Sequence, residues 1–343
     1  MTHLIFYKRG HPFFAIPVNA SLKVSLSSIR CLPSFTTKRK LFKIFVFFIT
    51  AIYYYLNKLL RFRNSSSEFA ELSNWCERFL EKSKITDYSH VIIWSLVPNR
   101  ERFYVHYLDK AGDPIWFAKL TSNKSDAKLL NNEYEQIRRI RTSQKVQIFS
   151  TPEVIDCCDD ENYSYIVLDY LANTDRLFHP SKNELPMHLL DAIRSDIEIK
   201  TLENVLSLDW WQNFILDKEN FAELGEYVKN SSRHSMVKIS FIHGDFGSEN
   251  ILLNSNGRFK VKDWERSHSQ GPFYVDELAF WLGQNHRMLK GGSQKVVDTF
   301  YSTFKHIPRL DLALALCFLV GARFDLAIVV SKNWKNTDEN TIG

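Results

Sequence analysis

Phe241-Ile-His243-Gly244-Asp245-Phe246-Gly247-Ser248-Glu249-Asn250-Ile-Leu-Leu253, a turn at Asn254-Ser255-Asn256-Gly257, and Phe259-Lys-Val-Lys-Asp263-Trp264-Glu265 make up the stretch that decides the fold. Apolar runs flank a loop carrying Asp245 and Asn250, and the second run ends on Asp263, as in two short strands joined by a tight turn. Three oxygen-bearing side chains therefore hang on one small scaffold. Phosphoryl transfer asks for such a set: a carboxylate to orient an alcohol, and hard oxygens to hold the divalent metal that neutralises a polyphosphate. Asp245 suits the first task, and Asn250 with Asp263 the second. The competing interpretation is a calcium-binding or purely structural turn rich in Asp and Asn.

The order His243-Gly-Asp245-x-x-x-x-Asn250 followed by Asp263-Trp-Glu265 resembles the catalytic signature of the aminoglycoside phosphotransferase and choline kinase family. That family's fold is related to protein kinases, which carry His-Arg-Asp-x-x-x-x-Asn and Asp-Phe-Gly at the matching places. The resemblance implies an α+β, two-lobed protein-kinase-like fold, with a small antiparallel-sheet lobe and a larger, mostly helical lobe. It implies ATP and Mg2+ as cofactors, Asp245 as catalytic base, and Asn250 and Asp263 as magnesium ligands. His243, Glu265 and Asp276 take supporting places. Asp276 resembles the family's helix-start aspartate, which braces the catalytic loop through backbone amides; otherwise it is an acid in a first helical turn, favoured by the helix dipole. His268 could join His243 and Asp245 in a metal cluster, but no close His pair supports one.

Upstream, Val91–Val97, Phe103–Leu108 and Ile115–Leu120 have the composition of three antiparallel strands. The turn Pro98-Asn-Arg-Glu-Arg102 has no glycine where protein kinases carry a glycine-rich phosphate cover. Lys119 ends the third strand, and the helical stretch Ser125–Arg141 carries Glu133 on one stripe with Ile137 and Ile140. A strand lysine held by a helix glutamate places an ammonium on nucleotide phosphates. Glu135 lies about 200° round the helix from Glu133, so only one of them can face the sheet. Thr151–Ile155 and Tyr163–Leu171 give two more strands. By the resemblance, Asp169, Tyr170 and Leu171 form the hinge, whose backbone groups pair with adenine. Residues 172–240 are expected to be helical over Leu185–Leu206 and Trp210–Val228. Val296–Phe304 and one long apolar helix over Leu310–Val330 close the chain.

All eleven charged residues up to Asn64 are Lys or Arg, so the formal charge of +5 conceals an acidic remainder, which argues against nucleic acid as a partner. Five cysteines in no paired spacing exclude a disulfide framework. The domain boundaries expected are a basic, apolar leader over 1–64, a nucleotide-binding lobe over 65–170, a catalytic and substrate lobe over 171–334, and a tail over 335–343. The leader's apolar run, Leu41–Leu60, reads as an interfacial helix on an anionic membrane surface; a span, a transit segment and an unfolded extension are its rivals. A helix follows over 65–83. The activity expected is transfer of the γ-phosphoryl group of ATP to a hydroxyl of a small molecule, such as an amino alcohol, aminoglycoside or sugar. It would take place in the cytoplasm or peripherally at the inner face of a membrane. A catalytically silent kinase-like binding module at a membrane is the alternative.

Overall fold

The computed structural model describes residues 3–8, 11–17, 21–32, 37–60, 67–82, 88–95, 101–143, 148–159, 163–170, 176–179, 184–194, 196–215, 222–290, 294–322 and 324–334. The chain divides into two compact units, Met1–Tyr134 with Pro152–Asn173, and Glu135–Thr151 with Thr174–Gly343.

In the first unit the elements run β1 (His3–Lys8), β2 (His11–Pro17), α1 (Leu22–Ser27), α2 (Thr37–Leu60), α3 (Ser67–Lys82), β3 (Ser89–Trp94), β4 (Arg102–Leu108), β5 (Pro114–Thr121) and α4 (Lys124–Arg141), which belongs to this unit as far as Tyr134. After β6 (Phe149–Ser150), which belongs to the second unit, come β7 (Val154–Asp159) and β8 (Ser164–Asp169). Seven strands pair antiparallel in the order β1-β2-β3-β4-β5-β8-β7. The two-residue period of a strand sorts the side chains onto opposite faces. Ala15, Ile92, Val105 and Ala118 pack with Leu72, Trp75 and Phe79 of α3, whereas Phe14, Ile16, Val91 and Leu108 pack with Val24, Ile29 and Val46.

Both faces of the sheet are therefore covered, and this corrects the boundary expected at residue 64. Strands β1 and β2 add to the sheet edge, with Phe14 opposite Ile93 and Ala15 opposite Ile92. The leader's first part is a hairpin and a helix of the folded unit, because His3–Lys8 and His11–Pro17 are short β-forming runs that bury Phe14, Ala15 and Ile16 completely. Helix α2 covers the expected apolar run. No helix among the described residues is long and apolar enough to cross a membrane. Residues 65, 66 and 83 of the expected helix and the tail 335–343 lie outside the described residues.

The second unit continues with β9 (Arg176–Leu177), α5 (Met187–Ile193), β10 (Glu198–Thr201), α6 (Leu202–Leu206), α7 (Asp209–Ile215), α8 (Ala222–Asn230) and β11 (Met236–Ile242). Then come β12 (Ile251–Leu253), β13 (Phe259–Val261), β14 (His268–Pro272), α9 (Val275–Gln284), α10 (His286–Lys290), α11 (Gln294–Thr303), α12 (Arg309–Gly321) and α13 (Asp325–Ser331). Helix α12 is apolar on all sides and buried from Asp311 to Val320, as a helix enclosed by others must be. Its neighbours in the core include Trp210, Trp211 and Phe214 of α7, Leu224 and Val228 of α8, and Leu278 and Trp281 of α9.

Two expected helices are each divided. Within 185–206, Glu198–Thr201 leaves the helical path to pair with Met236–Ile239 of β11. The apolar stretch 310–330 bends between α12 and α13, where the Ala322 carbonyl accepts a hydrogen bond from the Arg266 guanidinium.

Candidate active site

Strand β11 delivers the chain into His243-Gly244-Asp245, and β12 and β13 pair with Ile251 opposite Val261 and Leu253 opposite Phe259. The turn between them is tied by the Asn254 side chain, whose Oδ1 accepts the Asn256 and Arg258 amides at 3.0 and 2.8 Å. Lys262 N donates to Asn250 O at 3.0 Å, so Asp263 follows directly on a segment bonded to the loop that carries Asn250.

The loop is held from three sides. Asp276, buried in the first turn of α9, accepts the His243 amide on Oδ2 at 2.7 Å and the Gly244 amide on Oδ1 at 2.8 Å. Burial pushes its carboxyl above the ordinary range, although these two N–H groups and the charge of Arg194 oppose the rise. His243 is fully buried and spans the loop. Its Nε2–H donates to the Lys262 carbonyl at 2.9 Å, while Nδ1 accepts the Asp245 amide at 3.3 Å. A carbonyl can only accept, which fixes the proton on Nε2 and leaves the imidazole a spacer. Asn250 donates through Nδ2 to the Asp245 carbonyl at 2.9 Å, which turns its amide oxygen away from that bond.

Electrostatics sets Asp245 apart. Burial pushes its carboxyl up to about 6; the Arg266 guanidinium opposes the rise, and the Asp263 and Glu249 carboxylates add to it. Asp263 has φ 68° and ψ 57°, the one non-glycine residue in the left-handed region among those described. An L-residue there costs about 1 kcal/mol, a cost that persists where the surroundings dictate the conformation. Trp264, beside it, is fully buried, donates Nε1–H to the Val261 carbonyl at 2.9 Å and lies 4.5 Å from the His243 ring. Glu265 is buried in the same turn.

In the first unit, Lys119 and Glu133 form a buried pair, with Nζ at 2.9 and 2.8 Å from the two carboxylate oxygens. Glu133 is the inward member of its helix and Glu135 is exposed. Tyr170 N donates to the Ile115 carbonyl at 2.7 Å and Asp169 N to the Glu153 carbonyl at 2.9 Å, so both donors are committed to the protein by the ladders flanking β8. Leu171 and Pro98–Arg100 of the glycine-free turn lie outside the described residues.

Sequence reasoning did not single out Arg266, which follows the acidic motif directly and is the strongest charge holding Asp245 down. The signal was a cation next to the Asp-Trp-Glu run. His268 joins no cluster with Asp245; its Nε2 pairs with Asp209 Oδ1 at 2.8 Å.

No protein-family model and no curated protein sequence matches the chain. Solved structures do. The choline kinase LicA from Streptococcus pneumoniae is 13% identical over 78% of this chain and 94% of its own, with a TM-score of 0.44. The macrolide 2'-phosphotransferase MphH from Brachybacterium faecium is 10% identical over 76% and 98%, with a TM-score of 0.43. The aminoglycoside phosphotransferase APH(3'')-Id from Streptomyces rimosus is 13% identical over 71% and 93%, with a TM-score of 0.38. What the site can do follows from its own residues.

Gly244 tests how tightly the loop is built. At φ +79°, a Cβ there would sit inside van der Waals distance of the Arg266 carbonyl, whereas Gly257 at φ +74° has open space around it. Gly257→Ala should cost only the left-handed penalty of about 1 kcal/mol, and Gly244→Ala at least about twice that, measured by urea unfolding. Equal costs would mean the His243–Asp245 loop is free to move away from Arg266.

Proposed function

We propose that the protein transfers the γ-phosphoryl group of ATP to a hydroxyl of a small molecule. The observation that carries this is the braced loop of the second unit, where Asp276, His243 and Asn250 fix the backbone on either side of Asp245. A carboxylate held in this way can orient an alcohol and accept its proton, while positioning and electrostatics do the rest. The acceptor chemistry is of the hydroxyl class: an amino alcohol, an aminoglycoside or a sugar.

Magnesium fits the donor set. Asn250 offers an amide oxygen, its NH2 group being engaged, and Asp263 a carboxylate, both the hard oxygens this ion takes. Bound there with ATP, the ion would supply charge neutralisation of the phosphates. Lys119, steadied by Glu133, would bind the nucleotide phosphates as a fixed cation. Arg266 would favour the ionised form of Asp245 at neutral pH against the burial that favours its protonated form.

The test is phosphate transfer from labelled ATP to a panel of hydroxylated amines and sugars in the presence of Mg2+. The pH dependence is specific to this reading. Asp245 must be ionised to take a proton, so kcat/KM should rise about tenfold per pH unit below about 6 and level off above it. In Arg266→Gln, which removes the charge opposing the rise, the limb should move to higher pH. Magnesium-dependent stabilisation by ATP with no transfer to any acceptor would instead leave a binding module without catalysis.

A further inference from the structure

Helix α2 turns an apolar face outward. Leu41, Ile44, Phe45, Phe48, Ile52 and Tyr55 recur at the spacings that align side chains on one side of a helix, and each is more than half exposed. The face runs roughly 21 Å along the axis at 1.5 Å per residue. On the opposite side Val46 and Thr50 are fully buried, Val46 in the cluster that covers the sheet with Phe13, Phe14 and Val24. Thus one side of α2 is committed to the protein, and the helix cannot be surrounded by lipid as a span would be. No charged residue occurs from Ile44 to Asn57.

Beside this face lies a groove of about 580 Å³, lined by Lys23, Arg30 and Lys43 together with Ile44, Phe47 and Phe48. Lys43 donates to the Arg30 carbonyl at 3.2 Å, which joins two of the basic residues in one ridge. The Arg30 guanidinium lies 3.9 Å from Asp113, a surface pair with both side chains more than half exposed. Within residues 1–64 themselves there are eleven cations and no acid.

Exposed aromatic and aliphatic side chains next to cations require an occupant that is apolar in depth and negative at its surface. A second copy applied face to face would bring the cations together. An anionic bilayer supplies both properties at once. We infer that α2 lies flat on an anionic lipid surface, its outer face in the acyl boundary and Lys23, Arg30 and Lys43 among the headgroups. This inference stands apart from the phosphotransferase reading, since none of these residues belongs to the candidate active site.

The experiment is flotation of the full chain with vesicles of phosphatidylcholine alone and of phosphatidylcholine mixed with phosphatidylglycerol. The chain should float with the mixed vesicles, and less so as salt is raised. Ile44→Glu/Phe48→Glu should lower partitioning by at least about a hundredfold, and Lys23→Gln/Arg30→Gln should remove the preference for the anionic mixture. In case the acidic pair disturbs folding, Phe48→Trp provides a conservative probe: its fluorescence over that of the parent should be quenched by lipids brominated in the acyl chain. Parent-like flotation of Ile44→Glu/Phe48→Glu, or no added quenching in Phe48→Trp, overturns the inference. So does a parent chain that ignores vesicles but self-associates through this face, with the association lost in the acidic pair.

Discussion

Asp245→Asn should lose about two to four orders of magnitude in phosphoryl transfer and yet be more stable than the parent at neutral pH. Both effects follow from one carboxyl group pushed up to about 6, with burial as the largest cause. Below pH of roughly 4 the folded and unfolded chains both carry the proton, and the group costs nothing. Between about 4 and 6 the unfolded chain releases a proton that the folded chain keeps, so the stability contributed by this group falls as pH rises. Above about 6 the folded state holds a buried charge at its full penalty, on the order of 3 kcal/mol. An amide at this position never acquires that charge. Urea unfolding without magnesium or nucleotide should therefore show parent and variant alike near pH 4, with the variant gaining as pH approaches 7. Stabilisation by ATP should survive the substitution, because the phosphates are assigned to Lys119 and the metal oxygens to Asn250 and Asp263. Retained transfer by Asp245→Asn would remove Asp245 from the reaction, and a flat stability difference across pH would mean that its carboxyl is solvated.

Much of the candidate site could be read from the sequence because its geometry is local. Asp245, Asn250 and Asp263 fall within nineteen consecutive residues, and the turn chemistry of Asn254 and Gly257 fixes the hairpin that brings the last of them back. The Lys119–Glu133 pair was legible for a related reason: strand and helix periods leave only one glutamate able to face inward. The hairpin of β1 and β2 was obscured because attention to charge made the first 64 residues look like an appendage. Two short apolar runs beginning at His3 and His11 have no long-range partner visible in sequence, and only the pairing with Ile92 and Ile93 reveals that they complete a sheet edge. The division of the long helices was hidden likewise. Strand β10 exists because β11 offers it a ladder, and the bend after Gly321 accompanies a hydrogen bond from Arg266, 56 residues away.

Glu133→Ala should be among the most destabilising single changes in the first unit, by about 3–5 kcal/mol, because it leaves the buried Lys119 ammonium without the carboxylate that touches it at two points. Glu135→Ala, on the exposed side of the same helix, should change stability by no more than about 0.5 kcal/mol. The pair need not be a net source of stability, since both charges were taken out of water to form it. Lys119→Met/Glu133→Leu replaces two buried ions by apolar groups of similar length and should return to within about 1 kcal/mol of the parent or exceed it. Function should not return with it. If Lys119 binds nucleotide phosphates, ATP will stabilise neither Lys119→Met nor the double variant as it stabilises the parent, and phosphoryl transfer will be lost in both. This separates two roles for the pair: holding the folded unit together, and presenting the proposed cation to a triphosphate. A double variant that folds well and still transfers phosphate would leave the pair with neither role, and the phosphates would then need another cation.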